Sequence, residues 1–196
     1  MTTDIVIHEP DPAWPDRASA LLTDIRAALG PAVVHADHIG STSIPGMAAK
    51  NVLDLQLSVV DLEAAERDFA APLAELGFAF KPYLGDHVPA GSTDSPQQWA
   101  KRYWLRRDHP GDDVNLHVRR VGSPNERLAL LFRDWFRAHP EAVPGYAVFK
   151  RTLARRVTGI EGYTDVKDPV VDLVIGIAAD WAAETGWQPH NVHHAD

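Results

Sequence analysis

A polar turn followed by an acid-bearing strand is the part of this sequence best suited to chemistry. Residues 38–46 read HIGSTSIPG, and Asp54 follows in the alternating segment NVLDLQL. Glycine allows a ligand to approach the backbone closely, and hydroxyl groups can donate hydrogen bonds to phosphate oxygens. An ordinary connecting turn explains the motif too, but its spacing to Asp54 favours a phosphate site. The candidate ligand-binding residues of this turn are Gly40, Ser41, Thr42 and Ser43.

A second segment repeats the alternation of polar and apolar side chains. Successive side chains of a strand point to opposite faces, so Asn115 and His117 share one face, as Asp54 and Gln56 do. If the two strands are neighbours, these four polar side chains lie on one surface. A sheet with one solvated face accounts for the pattern equally well, and His117 alone is equally typical of a structural histidine.

Metal binding is a further hypothesis for the same residues. Imidazole and carboxylate groups are common ligands of divalent metal ions, which makes His38, Asp54 and His117 a candidate ligand set. Basic side chains near the turn offer an alternative way to hold an anion. Lys50 lies just before the Asp54 strand and Arg102 opens a later one, although most arginines on a protein surface are simply solvated.

Composition argues against several classes of function. The 196 residues carry a formal net charge of -8, whereas nucleic-acid binding generally needs a basic face. The chain has no cysteine, which excludes disulfides, thiolate metal sites and cysteine nucleophiles. The N-terminus lacks the features of a signal peptide, and no apolar run is long enough to span a membrane. The sequence therefore predicts a cytoplasmic protein with a small-molecule ligand and no membrane or nucleic-acid partner.

Hydrophobic periodicity predicts strands mixed with helices, followed by helices alone. Strands are expected near residues 5–7, 33–39, 52–60, 78–83, 99–106 and 114–121. Helices are expected at about 14–29 and 61–77, from Ser123, over 141–157 and from about 168, with a loop over 84–98. This order predicts a single α+β domain over residues 1–187 with a helical C-terminal part, followed by a flexible tail over 188–196.

Longer motifs resemble a known family. HIGSTSIPGMAAK, the Asp54 strand, NLHV, FRDWFRAHP and YAVFK together look like the GrpB family. The segments GSPNERLALLFRDWFRAHP and VKDPVVDLVIGIAADWAAETGW resemble especially the GrpB-type domain that follows dephospho-CoA kinase in some bacteria. The resemblance runs from about Ile5 to Trp187 and implies a nucleotidyltransferase-like fold, a mixed β-sheet flanked by helices.

The resemblance also implies a chemistry from which this sequence departs. In active members of the wider superfamily a Gly-Ser turn precedes a strand with two acids, and a neighbouring strand supplies a third. These carboxylates hold Mg²⁺, which bridges a nucleoside triphosphate. Gly40 and Ser41 match the turn and Asp54 matches the first acid, but Gln56 stands at the second. The third acid would fall near Asn115, where this sequence has none. Asp113 is the nearest acid, two residues before Asn115.

Two functions therefore stay open at the level of sequence. Nucleotidyl transfer would use Asp54 as a ligand of Mg²⁺, with His117 or His38 as general base and Lys50 and Arg102 neutralising phosphate. Binding of a nucleotide or another phosphate-bearing molecule without turnover, or an accessory role, needs no second carboxylate, and Gln56 favours it. The phosphate-binding pattern G-x-x-x-x-G-K-[ST] is missing, so kinase activity is not expected.

Overall fold

The computed structural model describes residues 5–190, except for the side chains of residues 160 and 161. Its strands are mixed with helices in the first part of the chain, and three helices follow. In chain order they are α1 (Trp14–Leu29), β1 (His35–Ile39), β2 (Leu53–Val59), α2 (Leu62–Glu75), β3 (Ala79–Lys81), β4 (Lys101–Arg106), β5 (Val114–Arg120), α3 (Pro124–Ala138), α4 (Val143–Arg156) and α5 (Gly159–Thr185). The predicted α+β class with a helical C-terminal part is confirmed.

The strands described form one mixed sheet in the order β1-β2-β5-β4-β3. β2 and β5 run parallel, and the remaining pairs of neighbours are antiparallel. The register places Asp54 opposite Asn115 and Gln56 opposite His117. Side chains that lie opposite each other in neighbouring strands point to the same face, so the predicted shared polar surface exists.

The two faces of the sheet differ in character. Leu53, Leu55 and Leu57 of β2 are fully buried together with Leu116 of β5, in a core that includes residues of α1 and α2. The other face carries the polar residues of β2 and β5. A second core, built around Phe136 of α3 and including residues of α4 and α5, lies on this side of the sheet. The second core and the polar face together enclose the site described below.

Helix caps explain where two helices begin. The Asp61 carboxylate accepts hydrogen bonds from the N–H groups of Glu63 and Ala64 and so caps α2. Ser123 accepts from the Glu126 N–H at the start of α3, as the sequence predicts. The Glu126 carboxylate accepts from the N–H of Gly122 rather than that of Ser123, at 2.6 Å. The cap is therefore a variant of the capping box, in which the acid at the third helical position accepts from the N–H of the cap residue itself.

Three expectations from the sequence differ from the structure. Residues 5–7 form no strand; in this region His8 makes an isolated bridge with Ala49. Helix α5 begins at Gly159 rather than near residue 168. A proline commonly marks the first turn of a helix, but Pro169 lies inside this one. The hydrophobic periodicity that predicts this last helix also predicts that Leu173 and Ile177 are buried, but they are 71% and 57% exposed.

The C-terminal end of the described chain makes a defined contact. The His190 ring stacks on His35 with ring centroids 3.7 Å apart, and its Nε2 lies 3.0 Å from Asp37. Residues 191–196 of the predicted tail lie outside the described residues. Among the helices that the structure describes, none has the length and apolar character that a membrane crossing needs.

Candidate ligand-binding cavity

A cavity of about 550 Å³ lies between the polar face of the sheet and helices α3, α4 and α5. The turn after β1 supplies Gly40, Ser41 and Thr42, and β2 supplies Asp54. The remaining strands, the helices and the loops beside them contribute mainly cationic and aromatic side chains, together with the Asn115 amide: Lys50, Tyr83, Tyr103, Arg107, Asn115, His117, Phe132, Tyr146, Lys150, Tyr163 and Lys167. Polar groups separated by more than a hundred residues in sequence thus meet in one space.

Position 40 requires a glycine, because its backbone lies very close to the Asp54 side chain. Its φ is +68°, and a Cβ atom at this position would overlap the Asp54 carboxylate. Only glycine accepts both the positive φ and the missing space without strain. The turn and the acid noted in the sequence are therefore in direct contact.

The three hydroxyl groups of the turn have different partners. Ser41 Oγ accepts a hydrogen bond from Lys150 Nζ at 2.8 Å. Thr42 Oγ1 lies 2.8 Å from Nε2 of His38. Ser43 is buried, and its hydroxyl donates to the Gly40 carbonyl at 2.7 Å, which closes the turn. Ser41 and Thr42 line the cavity, whereas Ser43 does not.

Asp54 is held by a chain of hydrogen bonds across the sheet. Asn115 Nδ2 donates to Asp54 Oδ1 at 2.6 Å. Asn115 Oδ1 accepts from the Tyr103 hydroxyl at 2.9 Å and from Arg107 Nη2 at 2.5 Å. Burial and the Asp54 charge raise the pKa of Tyr103, so its hydroxyl stays protonated and can donate. Both ends of the Asn115 amide are therefore occupied.

Gln56, at the second acid position, faces a buried ion cluster rather than the cavity. Its Oε1 accepts from Arg119 Nη1, and its Nε2 donates to the Glu126 carbonyl at 3.4 Å. Arg119 also pairs with Asp86 at 2.8 Å, and Asp86 pairs with Lys101 at 2.7 Å. Burial raises the pKa of Asp86, but the charges of Arg119 and Lys101 outweigh it and hold the pKa well below its usual range.

The ion cluster determines the hydrogen-bonding state of His117. Arg119 Nη2 lies 3.4 Å from His117 Nδ1, and a guanidinium can only donate. Nδ1 must then be the unprotonated nitrogen, and Nε2 carries the hydrogen in the neutral ring. Burial, followed by the charges of Arg119 and Lys101, lowers the pKa of His117 well below its usual value. This favours a neutral hydrogen-bond donor over the general base suggested by the sequence.

Two predicted site residues lie on the opposite face of the sheet. Arg102 is paired in register with Val118, and its Nε donates to the Glu66 carboxylate of α2. His38 is paired with Leu55. Burial, with smaller contributions from the charges of Arg137 and Arg133, lowers the pKa of His38 to about 4. Neither side chain lines the cavity, because each is one alternation away from the polar face.

The metal ligands proposed from the sequence do not assemble. Among the side chains that the structure describes, no group of three His, Asp or Glu residues is placed to hold a metal ion. Asp113 does not line the cavity, and its carboxylate lies 3.8 Å from Arg107. Gln56 and Asn115 use their amide oxygens within the protein. The donors around Asp54 therefore do not fit a resident Mg²⁺, which prefers several oxygen ligands in octahedral geometry.

Several lining residues were missed by the sequence analysis, above all Lys150, Lys167 and Arg107. Lys150 is only 3% exposed; burial and the charge of Lys167 lower its pKa to about 7. Lys50, which was predicted, lies 5.6 Å from the centre of the Tyr163 ring, and burial lowers its pKa as well. The motif YAVFK contains Lys150, but no local spacing connects this residue with Ser41, 109 positions away.

Comparison with solved structures places the fold in a known class. The chain is similar to the crystal structure of the conserved protein GrpB from Enterococcus faecalis, with a TM-score of 0.73 and 22% sequence identity. The match covers 91% of this chain and 99% of that one. The family model described as GrpB protein matches residues 4–176, and the chain belongs to the GrpB family.

Sequence relatives are of two kinds. A dephospho-CoA kinase of Mycolicibacterium paratuberculosis is 36% identical over 198 residues, covering 92% of this chain and 47% of that protein. A UPF0157 protein of Halalkalibacterium halodurans is 31% identical over 172 residues, covering 87% of this chain and 80% of that protein. The chain therefore spans about half the length of the kinase relative but most of the UPF0157 relative.

Proposed function

We propose that the protein binds a nucleotide or another small phosphate-bearing anion in the cavity, and that its own cationic side chains neutralise the ligand. The observation that carries this proposal is the imbalance of charge in the lining. Among the described lining residues, Lys50, Arg107, Lys150 and Lys167 are cationic and Asp54 is the one carboxylate. A cytoplasmic location, expected from the sequence, suits such a ligand.

The electrostatics favour an anion at this position. Burial lowers the pKa of both Lys50 and Lys150, and like charges lower them further. An anion close to these ammonium groups would reverse both effects, since an opposite charge favours the protonated form. In a partly desolvated cavity the attraction is much stronger than it is in water. Binding energy is thus available without a metal ion.

The size and aromatic content of the cavity favour a nucleotide over inorganic phosphate. Pockets for small organic ligands typically enclose about 300–1,000 Å³, and this cavity of about 550 Å³ lies within that range. Tyr83, Tyr103 and Tyr163 are in the lining, and aromatic rings can stack on nucleobases. Dephospho-CoA, which the names of the kinase relatives suggest, carries both a base and phosphates and belongs in any test panel.

Nucleotidyl transfer is the alternative function. It is supported by the contact between Gly40 and Asp54, the arrangement that active members of the superfamily are expected to share. The loss of the second acid at Gln56 is the argument against it, because one carboxylate binds Mg²⁺ weakly. Any Mg²⁺ in this protein would then arrive with the phosphates of the ligand. We therefore propose binding without the two-carboxylate reaction.

Thermal unfolding with a panel of ligands tests the proposal. ATP, ADP, dephospho-CoA, pyrophosphate and phosphate are each added in EDTA and, separately, in Mg²⁺. A bound ligand at about 100 times its Kd stabilises the fold by about 2.7 kcal/mol, or about 5–10 °C for a chain of this size. We expect at least one nucleotide to raise Tm in EDTA.

Variants then locate the binding site. Lys50→Met and Lys167→Met should each weaken binding about tenfold or more, the typical cost of losing a charged hydrogen bond. Lys81→Met is the matched control, since Lys81 lies on β3 and does not line the cavity. If no ligand of the panel raises Tm, or if binding requires Mg²⁺, the proposal is wrong.

A further inference from the structure

A serine hydroxyl and a buried amine meet at the end of the cavity nearest α4. The Ser41 Oγ and Lys150 Nζ atoms are 2.8 Å apart, and both side chains line the cavity. A nucleophile and a base within hydrogen-bond reach of each other are the structural signature of an activated hydroxyl. Ser–Lys pairs serve this purpose in unrelated enzymes, where the lysine takes the part that histidine plays elsewhere.

The surroundings of Lys150 suit it to accept a proton. Among the described side chains, which exclude those of residues 160 and 161, none forms an ion pair with Lys150 Nζ, and this atom lies 5.2 Å from the centre of the Tyr146 ring. The charged groups that act on it are Lys167 of α5, Asp54 of β2, Arg151 of α4 and Lys50 ahead of β2. Burial and the cationic neighbours outweigh Asp54, so the pKa is about 7 and much of the amine is neutral at physiological pH.

Ser41 differs from the serine two positions along the chain. Ser43 is buried outside the cavity lining, and the hydrogen of its hydroxyl is donated to the Gly40 carbonyl, so this serine is not placed to attack a ligand. Ser41 follows Gly40, whose positive φ brings the turn against Asp54 and leaves the Ser41 hydroxyl at the wall of the cavity. Lys50 and Lys167 line the same cavity, where they can stabilise negative charge developing on phosphate oxygens.

We propose that Ser41 is a nucleophile activated by Lys150, and that it takes a phosphoryl or nucleotidyl group from a phosphoanhydride bound in the cavity. The natural reaction rests on the proposed anion binding. Ser41 Oγ forms a bond to phosphorus, and the bond from phosphorus to the leaving phosphate oxygen breaks, with its electron pair going to that oxygen. The hydroxyl proton passes to Lys150 Nζ. The product is a phosphate ester of Ser41.

Covalent labelling tests the nucleophile without knowledge of the natural substrate. A fluorophosphonate probe reacts with activated serines: the bond from Oγ to phosphorus forms, the P–F bond breaks, fluoride leaves and the base takes the proton. We expect peptide mass spectrometry to find the adduct on Ser41, with a labelling rate that increases as pH rises through about 7, where Lys150 loses its proton.

Substitutions of the base and of unrelated residues make the test specific. Lys150→Met removes the base and Lys150→Arg keeps a cation that cannot accept the proton; both should slow labelling at least tenfold. Arg155→Met, exposed on the same helix and outside the cavity lining, and Ser19→Ala, on the exposed surface of α1, should label within about twofold of the parent protein. Circular dichroism of each variant verifies that it is folded.

The outcomes separate this inference from the proposed function. Absence of Ser41 labelling, or equal rates in the parent protein and folded Lys150→Arg, overturns the nucleophile even if nucleotides bind. Labelling that depends on Lys150 while no ligand raises Tm supports the nucleophile and rejects anion binding. A Ser41 adduct formed from ATP, seen as the added mass of a phosphoryl or nucleotidyl group, supports both.

Discussion

Two groups of buried cations lie on the same face of the sheet and have opposite electrostatic environments. In the ion cluster of Asp86, Lys101 and Arg119, both cations contact a carboxylate, and Arg119 also contacts Gln56. In the cavity, Lys150 contacts a neutral hydroxyl and Lys50 an aromatic ring. Burying a charge without a counter-charge is unfavourable, and among the described side chains it is for the second group that we propose an anionic ligand.

The ion cluster also has a positional role. Asp86 lies in the long loop before β4 and accepts a hydrogen bond from Asn125 Nδ2 at the start of α3. It therefore ties the loop and the helix to strands β4 and β5, next to His117. The cluster maintains the wall of the cavity, whereas the cations of the cavity are the groups to which we attribute the proposed affinity for an anion.

The largest expected effect is the loss of the central acid of the ion cluster. Asp86→Asn leaves Lys101 and Arg119 without a counter-charge, and removal of one partner of a buried pair typically costs about 3–5 kcal/mol. We expect a loss of this size in urea unfolding at pH 7. The pKa of Asp86 is depressed in the fold, so its contribution is present at neutral pH and declines as pH falls towards and below about 4.

Asp172→Asn is the matched control for that experiment. Asp172 of α5 anchors the same loop through His87 at 3.0 Å and the Ala90 N–H at 3.1 Å, but these contacts are exposed. Exposed ion pairs contribute about 0–1 kcal/mol. Equal losses in the two variants would contradict the distinction between a paired buried cluster and an ordinary surface contact.

The second prediction is a gain of stability, where the first is a loss. Lys150→Met removes an ammonium that burial disfavours, and should stabilise the unliganded protein by on the order of 2 kcal/mol at pH 7. The folded-state pKa of about 7 lies below the unfolded value, so the unfolded chain holds more protons above pH 7. Parent stability therefore rises between about pH 7 and pH 10, and the advantage of the variant shrinks.

Urea unfolding of both proteins across this pH range measures the effect. Lys81→Met again serves as the control, because this lysine of β3 does not line the cavity. A loss of stability in Lys150→Met at every pH would mean that Lys150 is paired in a way that the structure does not show. The distinction between the two groups of cations would then fail.

The smallest expected effect concerns His117, which lies between the two groups. We expect nitrogen-resolved NMR to find a neutral ring protonated at Nε2 over about pH 6 to 8, because Arg119 donates to Nδ1. His117→Ala should weaken ligand binding by about 1 kcal/mol, and His117→Gln, which keeps an N–H donor, by less. A ring protonated at Nδ1, or one that titrates near its usual pKa, would contradict this arrangement.

Local patterns were sufficient to predict much of the fold. Alternation in residues 53–59 and 114–120 identified the central strands, and Asp61 and Ser123 marked the starts of two helices. These features depend on neighbours within a few residues, so sequence spacing reports them directly. Pro169 misled the prediction of α5 because a long, packed helix can accommodate one missing hydrogen bond.

The turn and Asp54 could also be identified from spacing, since Gly40 and Asp54 are close in the chain and β1 pairs directly with β2. Which side each side chain of β4 faces could not be decided from the sequence. Arg102 was chosen and Lys101 was not, although the register places Lys101 on the polar face and Arg102 against α2. A shift of one residue exchanges the faces of a strand, and only strand pairing determines it.

The amino-acid sequence thus determined the class of fold, the Gly-Ser turn and the glutamine at position 56, where the resemblance implies an acid, because each is a property of a short segment. The tertiary structure alone decided which groups surround Gln56 and Ser41. It brought Arg119 to Gln56 and Lys150 to Ser41, across 63 and 109 positions. Such contacts depend on how α3, α4 and α5 pack over the sheet, and no local periodicity encodes them.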